Sequence, residues 1–188
     1  MKTVAVLEGW AGGPKVSRLF RQRLDENGFE ITKKIHDADF IIAHSTGCHM
    51  LPKKFKADTV MLIDPPYWPG ESIARRWLNM SKAELKYLRK AQGNRKFWSD
   101  KLWEAFYIFA KPAYTCSILR NESHLHFLVD LKDKNVILVR NTDDEFCSPD
   151  IKNKLKSYKN IAYAEIEGYH GNYYLNPQPY IDLLLENI

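Results

Sequence analysis

Apolar residues along this chain fall into short unbroken runs, and helical spacing appears between them. Thr3-Val4-Ala5-Val6-Leu7, Phe40-Ile41-Ile42-Ala43, Thr59-Val60-Met61-Leu62-Ile63 and Asn135-Val136-Ile137-Leu138-Val139-Arg140 carry no charge before their ends. Runs of this length, rich in β-branched residues and without alternation, predict strands buried on both faces. Phe29-Glu30-Ile31-Thr32 and residues 161–166 read as two further strands. Between the first two strands Val16, Leu19, Phe20 and Leu24 recur at helical spacing, with Pro14 suited to the first turn and Asn27-Gly28 to the C-cap. Residues 149–158 and 177–186 predict two more helices, and a short one follows Ser45 and stops near Pro52. Strands alternating with helices predict a parallel α/β sheet. The connection from residue 32 to residue 40 is short for a helical crossover, so that edge of the sheet reads as trimmed.

The pattern changes over residues 67–132, where helices follow one another. Ser81-Lys82-Ala83-Glu84 has the form of a capping box. Ser99 or Asp100 caps a further helix with Leu102, Trp103, Phe106 and Phe109 on its apolar side, Pro112 stops it, and another helix covers residues 116–128. Four of the five tryptophans, Trp68, Trp77, Trp98 and Trp103, fall here. Such stripes read first as core, and their aromatic content also suits a cap over a pocket.

Composition narrows the class. The 188 residues suffice for one domain with a real core, and 45% hydrophobic with 27% charged residues is globular. The net charge of +5 is spread along the chain and densest over residues 75–101, which reads as a solvated surface rather than a nucleic-acid or membrane patch. Cys48, Cys116 and Cys147 lack metal-ligand spacing and are odd in number, which fits free thiols in a reducing compartment. With no signal-peptide pattern and no apolar run of spanning length, a soluble cytoplasmic protein is expected.

In an open α/β sheet ligands sit beyond the carboxyl ends of the strands. The polar residues there are Gly9-Trp10, Ser45, Asp64, Asp143-Asp144 and Gly168-Tyr169-His170. A serine, an acid and a histidine occur in that order. A serine on a sharp strand-to-helix turn lifts its hydroxyl above the sheet, where a base can reach it and helix amides can hold an oxyanion.

These residues carry a resemblance. Ala43-His44-Ser45-Thr46-Gly47 resembles the nucleophile elbow G-x-S-x-G of the α/β-hydrolase superfamily, with alanine first. Asn141-Thr142-Asp143-Asp144-Glu145-Phe146 resembles its acid loop, with asparagine, which tolerates left-handed backbone, in place of a glycine, and His170 resembles its catalytic histidine between last strand and last helix. Glu8-Gly9-Trp10 resembles its oxyanion loop, with glutamate where histidine is usual. The small size and trimmed edge are similar to compact serine hydrolases of the retinoblastoma-binding-protein-9 type. The resemblance implies an α/β-hydrolase-like three-layer sandwich, a mostly parallel six-stranded sheet in the order 2-1-3-4-5-6. It also implies a helical insertion after the fourth strand, so that residues 1–188 form one domain with a cap-like segment over about 67–132.

It further implies a serine hydrolase cleaving an ester or related acyl bond of a small molecule through an acyl-enzyme, without cofactor or metal. Ser45 would be the nucleophile and His170 the base, an imidazole having an ordinary pKa of about 6.5. Asp144, rather than Asp143, would orient it. The backbone N–H groups of Trp10 and Thr46 would hold the oxyanion. The alternative is a catalytically inactive binding protein of the same fold, and a third reading is a basic nucleic-acid-associated module. His36, His44 and His49 lack a regular ligand spacing for a metal, Cys48 reads as a packing residue, and residues 9–13 match neither phosphate-loop pattern.

Overall fold

The structure is a computed structural model that describes residues 1–9, 14–68 and 125–188, with 72, 74–76, 78, 79 and 82 between them. The helices and the capping box expected within residues 77–124 therefore lie almost wholly outside the described residues, as do Trp77, Trp98, Trp103 and Cys116.

Six strands, β1 (Lys2–Leu7), β2 (Phe29–Thr32), β3 (Phe40–His44), β4 (Thr59–Ile63), β5 (Asn135–Asn141) and β6 (Ile161–Ile166), form one sheet in the order β2-β1-β3-β4-β5-β6. Every neighbouring pair is parallel. Order and strand boundaries agree with the sequence reading to within a residue at either end.

The unbroken apolar runs have a direct cause. Side chains alternate across a strand, so a strand covered on both sides needs apolar residues at every position. Val4, Ile42, Met61, Ile63, Ile137 and Val139 pack on one side with Phe20 and Leu24 of the helix Arg18–Glu26 and with Ile181 and Leu184 of the helix Gln178–Leu185. Ala5, Ile41, Ala43, Val60, Leu62 and Leu138 pack on the other side with Leu128, Ile151 and Leu155. The central strands β3 and β4 are buried throughout.

Three local expectations shift. Leu19, assigned to the apolar face of the first helix, is 38% exposed, because Phe20 and Leu24 already fill the groove against the sheet. That helix begins at Arg18, so Pro14 belongs to the turn before it. The helix expected over residues 149–158 contracts to Ile151–Leu155, and of the one expected over 116–128 the described part is Phe127–Asp130.

Asp39 fastens the entry of β3 to that of β1. Its carboxylate accepts the Thr3 N–H at 2.8 Å, the Thr3 hydroxyl at 2.9 Å and the Lys56 ammonium at 2.7 Å. Lys56, and then the Thr3 donors, hold this carboxyl well below the usual carboxylate range. A folded-state pKa depressed in this way adds stability above the unfolded value and loses it as pH falls towards the folded one. Asp39→Asn is expected to lower the urea midpoint at pH 7, and its gap from wild type to close as the pH drops below about 4. Urea titrations at stepped pH check this, and a gap that persists at the acid end would contradict it.

Candidate active site

The sheet's carboxyl edge is built around a backbone turn at Ser45. β3 ends at His44, and Ser45 takes φ 52°, in the left-handed region that costs an L-residue roughly 1–2 kcal/mol. Residues Ser45–Met50 then form a 3₁₀ helix, tighter than the ordinary helix expected. Ala43 is fully buried, in register with Leu7 of β1 and Leu62 of β4. The tight contacts fall at two glycines instead. A Cβ on Gly47 would lie 2.5 Å from the Leu7 carbonyl oxygen, and one on Gly9 would lie 2.7 Å from Ser45 Cβ. The elbow thus closes with alanine at position 43 because its crowding is carried by Gly9 and Gly47.

β5 and β6 bring the acid and the histidine to the same edge. Asp144 is buried, and its Oδ1 accepts the Phe146 N–H at 2.7 Å. Its Oδ2 lies 3.1 Å from His170 Nδ1. Asp143 is exposed and joins the turn through its backbone, its N–H donating to the Gly168 carbonyl at 2.7 Å. Of the two adjacent acids, Asp144 is the one whose side chain meets His170. The His170 ring packs against Phe146 at 4.3 Å and against His44, the neighbour of Ser45, at 4.7 Å between centroids. His170 therefore stands over the end of β3 with Nδ1 turned to the Asp144 carboxylate. Among the described residues no hydrogen bond joins Ser45 Oγ to His170, a contact that in substrate-free sites often tightens only on binding.

Thr46 follows Ser45 at the start of the 3₁₀ helix, and Trp10 lies outside the described residues. Glu8, before that loop, has a task the sequence did not disclose. One of its oxygens accepts the Ser17 hydroxyl and the Arg21 guanidinium, the latter at 2.8 Å, and the other accepts the Tyr173 hydroxyl at 2.7 Å. The phenol's pKa is pushed up by burial and then by this carboxylate. Glu8 thus ties the end of β1 to the first helix and to the segment after His170. Position 17 and position 21 share a helical face, but Tyr173 is 165 residues away, and no local pattern announces that contact.

Asp64, at the end of β4, is the other described non-glycine residue with positive φ, at 48°. It is fully buried; its Oδ1 accepts the Asn141 N–H at 2.7 Å and its Oδ2 the Asn141 side-chain amide. Asn141 in turn accepts the Tyr180 hydroxyl. Asparagine is therefore required here as a bridge between β4, β5 and the last helix, and not for a left-handed backbone, which it does not adopt.

His36 is exposed and pairs with the Lys54 carbonyl at 2.8 Å, while His49 packs edge-on to Phe127, with its pKa pushed down to about 4 by burial and then by His126. These two do not join His44. Among the described residues the group with metal-ligand spacing is His44, Asp64 and His170, within 4.8 Å of one another. Within this trio Asn141 engages both oxygens of Asp64, and Asp144 engages His170 Nδ1. Cys48 donates its thiol to the Ala43 carbonyl at 3.4 Å, in keeping with a packing role.

No protein-family model matches the chain, and no curated protein matches it. Solved structures are similar to it. A carboxylesterase of the thaumarchaeon Nitrososphaera gargenis aligns with TM-score 0.67 and 14% identity over 98% of this chain and 89% of its own. The esterase EaEST of Exiguobacterium antarcticum gives TM-score 0.67 and 12% identity over 99% and 91%. An epoxide hydrolase of Bacillus megaterium gives 0.55 and 13% over 99% and 93%. The chain has the α/β-hydrolase fold. The narrower likeness to the retinoblastoma-binding-protein-9 type stays an expectation from the sequence.

Gly47→Ala would force a methyl group onto backbone that cannot swing aside. It is expected to destabilise the protein by about 1–3 kcal/mol, the usual cost of overpacking. The urea midpoint measures this, and a variant as stable as wild type would contradict the close approach of β1 to the elbow.

Proposed function

We propose that the chain is a serine hydrolase that cleaves an ester or related acyl bond of a small molecule. The observation that supports this reading best is the Asp144–His170 pair at 3.1 Å, with the His170 ring 4.7 Å from that of His44, the residue before a serine held in a left-handed turn. Ser45 Oγ would attack the acyl carbon while His170 Nε2 takes its proton. Asp144 would stabilise the imidazolium by accepting a hydrogen bond from its Nδ1–H. The oxyanion would lie against the backbone N–H groups of Thr46 and Trp10. His170 would then return the proton to the leaving oxygen, and water would repeat the sequence on the acyl-serine.

The similar esterases of known structure support the choice of an ester, and the fold alone would not. Among the described residues no helix is long and apolar enough to cross a membrane. A cytoplasmic protein acting without cofactor or metal belongs to the same proposal.

A fluorophosphonate probe is expected to label the protein at Ser45. Ser45→Ala and His170→Ala should abolish labelling and lower p-nitrophenyl ester hydrolysis by about 10⁴–10⁶-fold, and Asp144→Asn by about 10⁴-fold. Mass spectrometry of the labelled peptide locates the adduct. A wild-type chain that folds, fails to label and hydrolyses no ester would favour the inactive binding protein. Labelling that persists in Ser45→Ala would sink the assignment of the nucleophile.

A further inference from the structure

Three metal-ligating side chains from three strand ends meet at the carboxyl edge. His44 closes β3, Asp64 follows β4 and His170 follows β6, and one ligand atom from each lies within 4.8 Å of the other two. The two imidazole rings stand 4.7 Å apart between centroids. His44 and Asp64 are buried, while the His170 side chain is 14% exposed, so the cluster reaches solvent on the His170 side.

Each member is also held from behind. Asp144 meets His170 at Nδ1, at 3.1 Å, and the Tyr174 hydroxyl stands 3.4 Å from Nδ1 of His44. Asn141 donates its backbone N–H to one oxygen of Asp64, at 2.7 Å, and its side-chain amide to the other. Both imidazoles therefore keep Nε2 for a ligand, and each carboxyl oxygen keeps a second lone pair. Outer hydrogen bonds of this kind, to the far nitrogen of a histidine and to the carboxylate, are what orient the ligands of a metal ion. Asp64 adds a reason of its own. It is fully buried, its hydrogen-bond partner Asn141 is neutral, and a carboxylate so placed is stabilised by a countercharge or by a metal.

We propose that His44, Asp64 and His170 bind a divalent transition-metal ion, Zn²⁺ by ligand type, and that the bound ion switches the site off. Zinc takes two imidazoles and one carboxylate tetrahedrally, at about 2.0–2.2 Å, with the fourth position left to water. The three side chains draw together as the ion enters from the His170 side. Binding does not depend on the hydrolase reading, but the switch rests on it. An Nε2 whose lone pair is given to the ion cannot take the proton of Ser45. The ion is an inhibitor, and turnover needs none.

Two readouts on the full chain, freed of metal by a chelator and then of the chelator, test this. Calorimetric titration with ZnCl₂ should show a single saturable site, and Co²⁺ should give the visible bands of a four-coordinate ion. His44→Phe keeps an aromatic ring and Asp64→Asn keeps the shape of the side chain. Each should weaken zinc binding by more than about a hundredfold, beyond the 10–100-fold that loss of an outer partner costs. Tyr174→Phe, which removes such a partner, should fall within about that smaller range. His36→Ala, outside the trio, should bind as wild type does. The zinc concentration that fills the site should abolish hydrolysis of p-nitrophenyl acetate, and a chelator should restore it.

No saturable binding, or binding that both His44→Phe and Asp64→Asn leave intact, would overturn the site. Zinc that fills the site and leaves hydrolysis untouched would overturn the switch. Should His44→Phe fail to fold, Asp64→Asn and the cobalt spectrum still decide. A chain that binds zinc through the trio but hydrolyses nothing after chelation would keep the metal site and lose the hydrolase reading, and the switch with it. A chain that hydrolyses the ester and binds no zinc would lose only the metal site.

Discussion

The carboxyl edge of the sheet depends on two residues leaving their strands through left-handed backbone. Ser45 ends β3 at φ 52° and Asp64 ends β4 at φ 48°, and the strands are paired in register up to His44 and Ile63. The two turns therefore begin side by side. Each costs an L-residue roughly 1–2 kcal/mol, and such strain persists only where the surroundings overdetermine it. At Ser45 the surroundings are Gly9 and Gly47, which let β1 close on the elbow with no side chain between. At Asp64 they are the Val139 carbonyl, which accepts its N–H at 2.8 Å, and the two donors of Asn141.

From these turns the packing of the edge follows. β5 runs beyond β4, so that Asn141 can reach back to Asp64 while Asp144, a turn later, reaches His170. Tyr180 and Tyr173 close the ring from the other end of the chain, one hydrogen-bonded to Asn141 and one to Glu8. Their hydroxyls are buried, and a buried polar group left without a partner costs about 1–3 kcal/mol. The C-terminal segment is thus held to the sheet by apolar contact and also by polar groups that fit in one position only. His170 lies between β6 and that segment, so its placement against His44 is fixed from both sides.

The fold was readable because its cause is local. A strand covered on both faces has to be apolar at consecutive positions, and β1, β3, β4 and β5 show this directly in sequence. The order of Ser45, Asp144 and His170 was readable because each follows a strand. What escaped was whatever joins distant segments. Glu8 looked like a departure from an oxyanion loop, and only its contacts with Ser17, Arg21 and Tyr173 explain it. Asn141 looked like a substitute for a flexible glycine, whereas its side chain bridges two strands and a helix. Asp64 stood among the strand-end residues without a role, since nothing in Ile63-Asp64-Pro65 says that Asn141 will engage both of its oxygens.

A fold used only for binding has little need of this edge. The core, the Glu8 network and the Asp39 clasp serve any protein of this architecture. Strain at Ser45, an imidazole aligned on a buried carboxylate and a second enclosed carboxyl each work against stability when considered alone. All three meet at the carboxyl edge of the sheet, at the residues that follow β3, β4 and β5. Stability gives no reason for that coincidence, while the proposed activation of the Ser45 hydroxyl would use both the turn and the aligned imidazole.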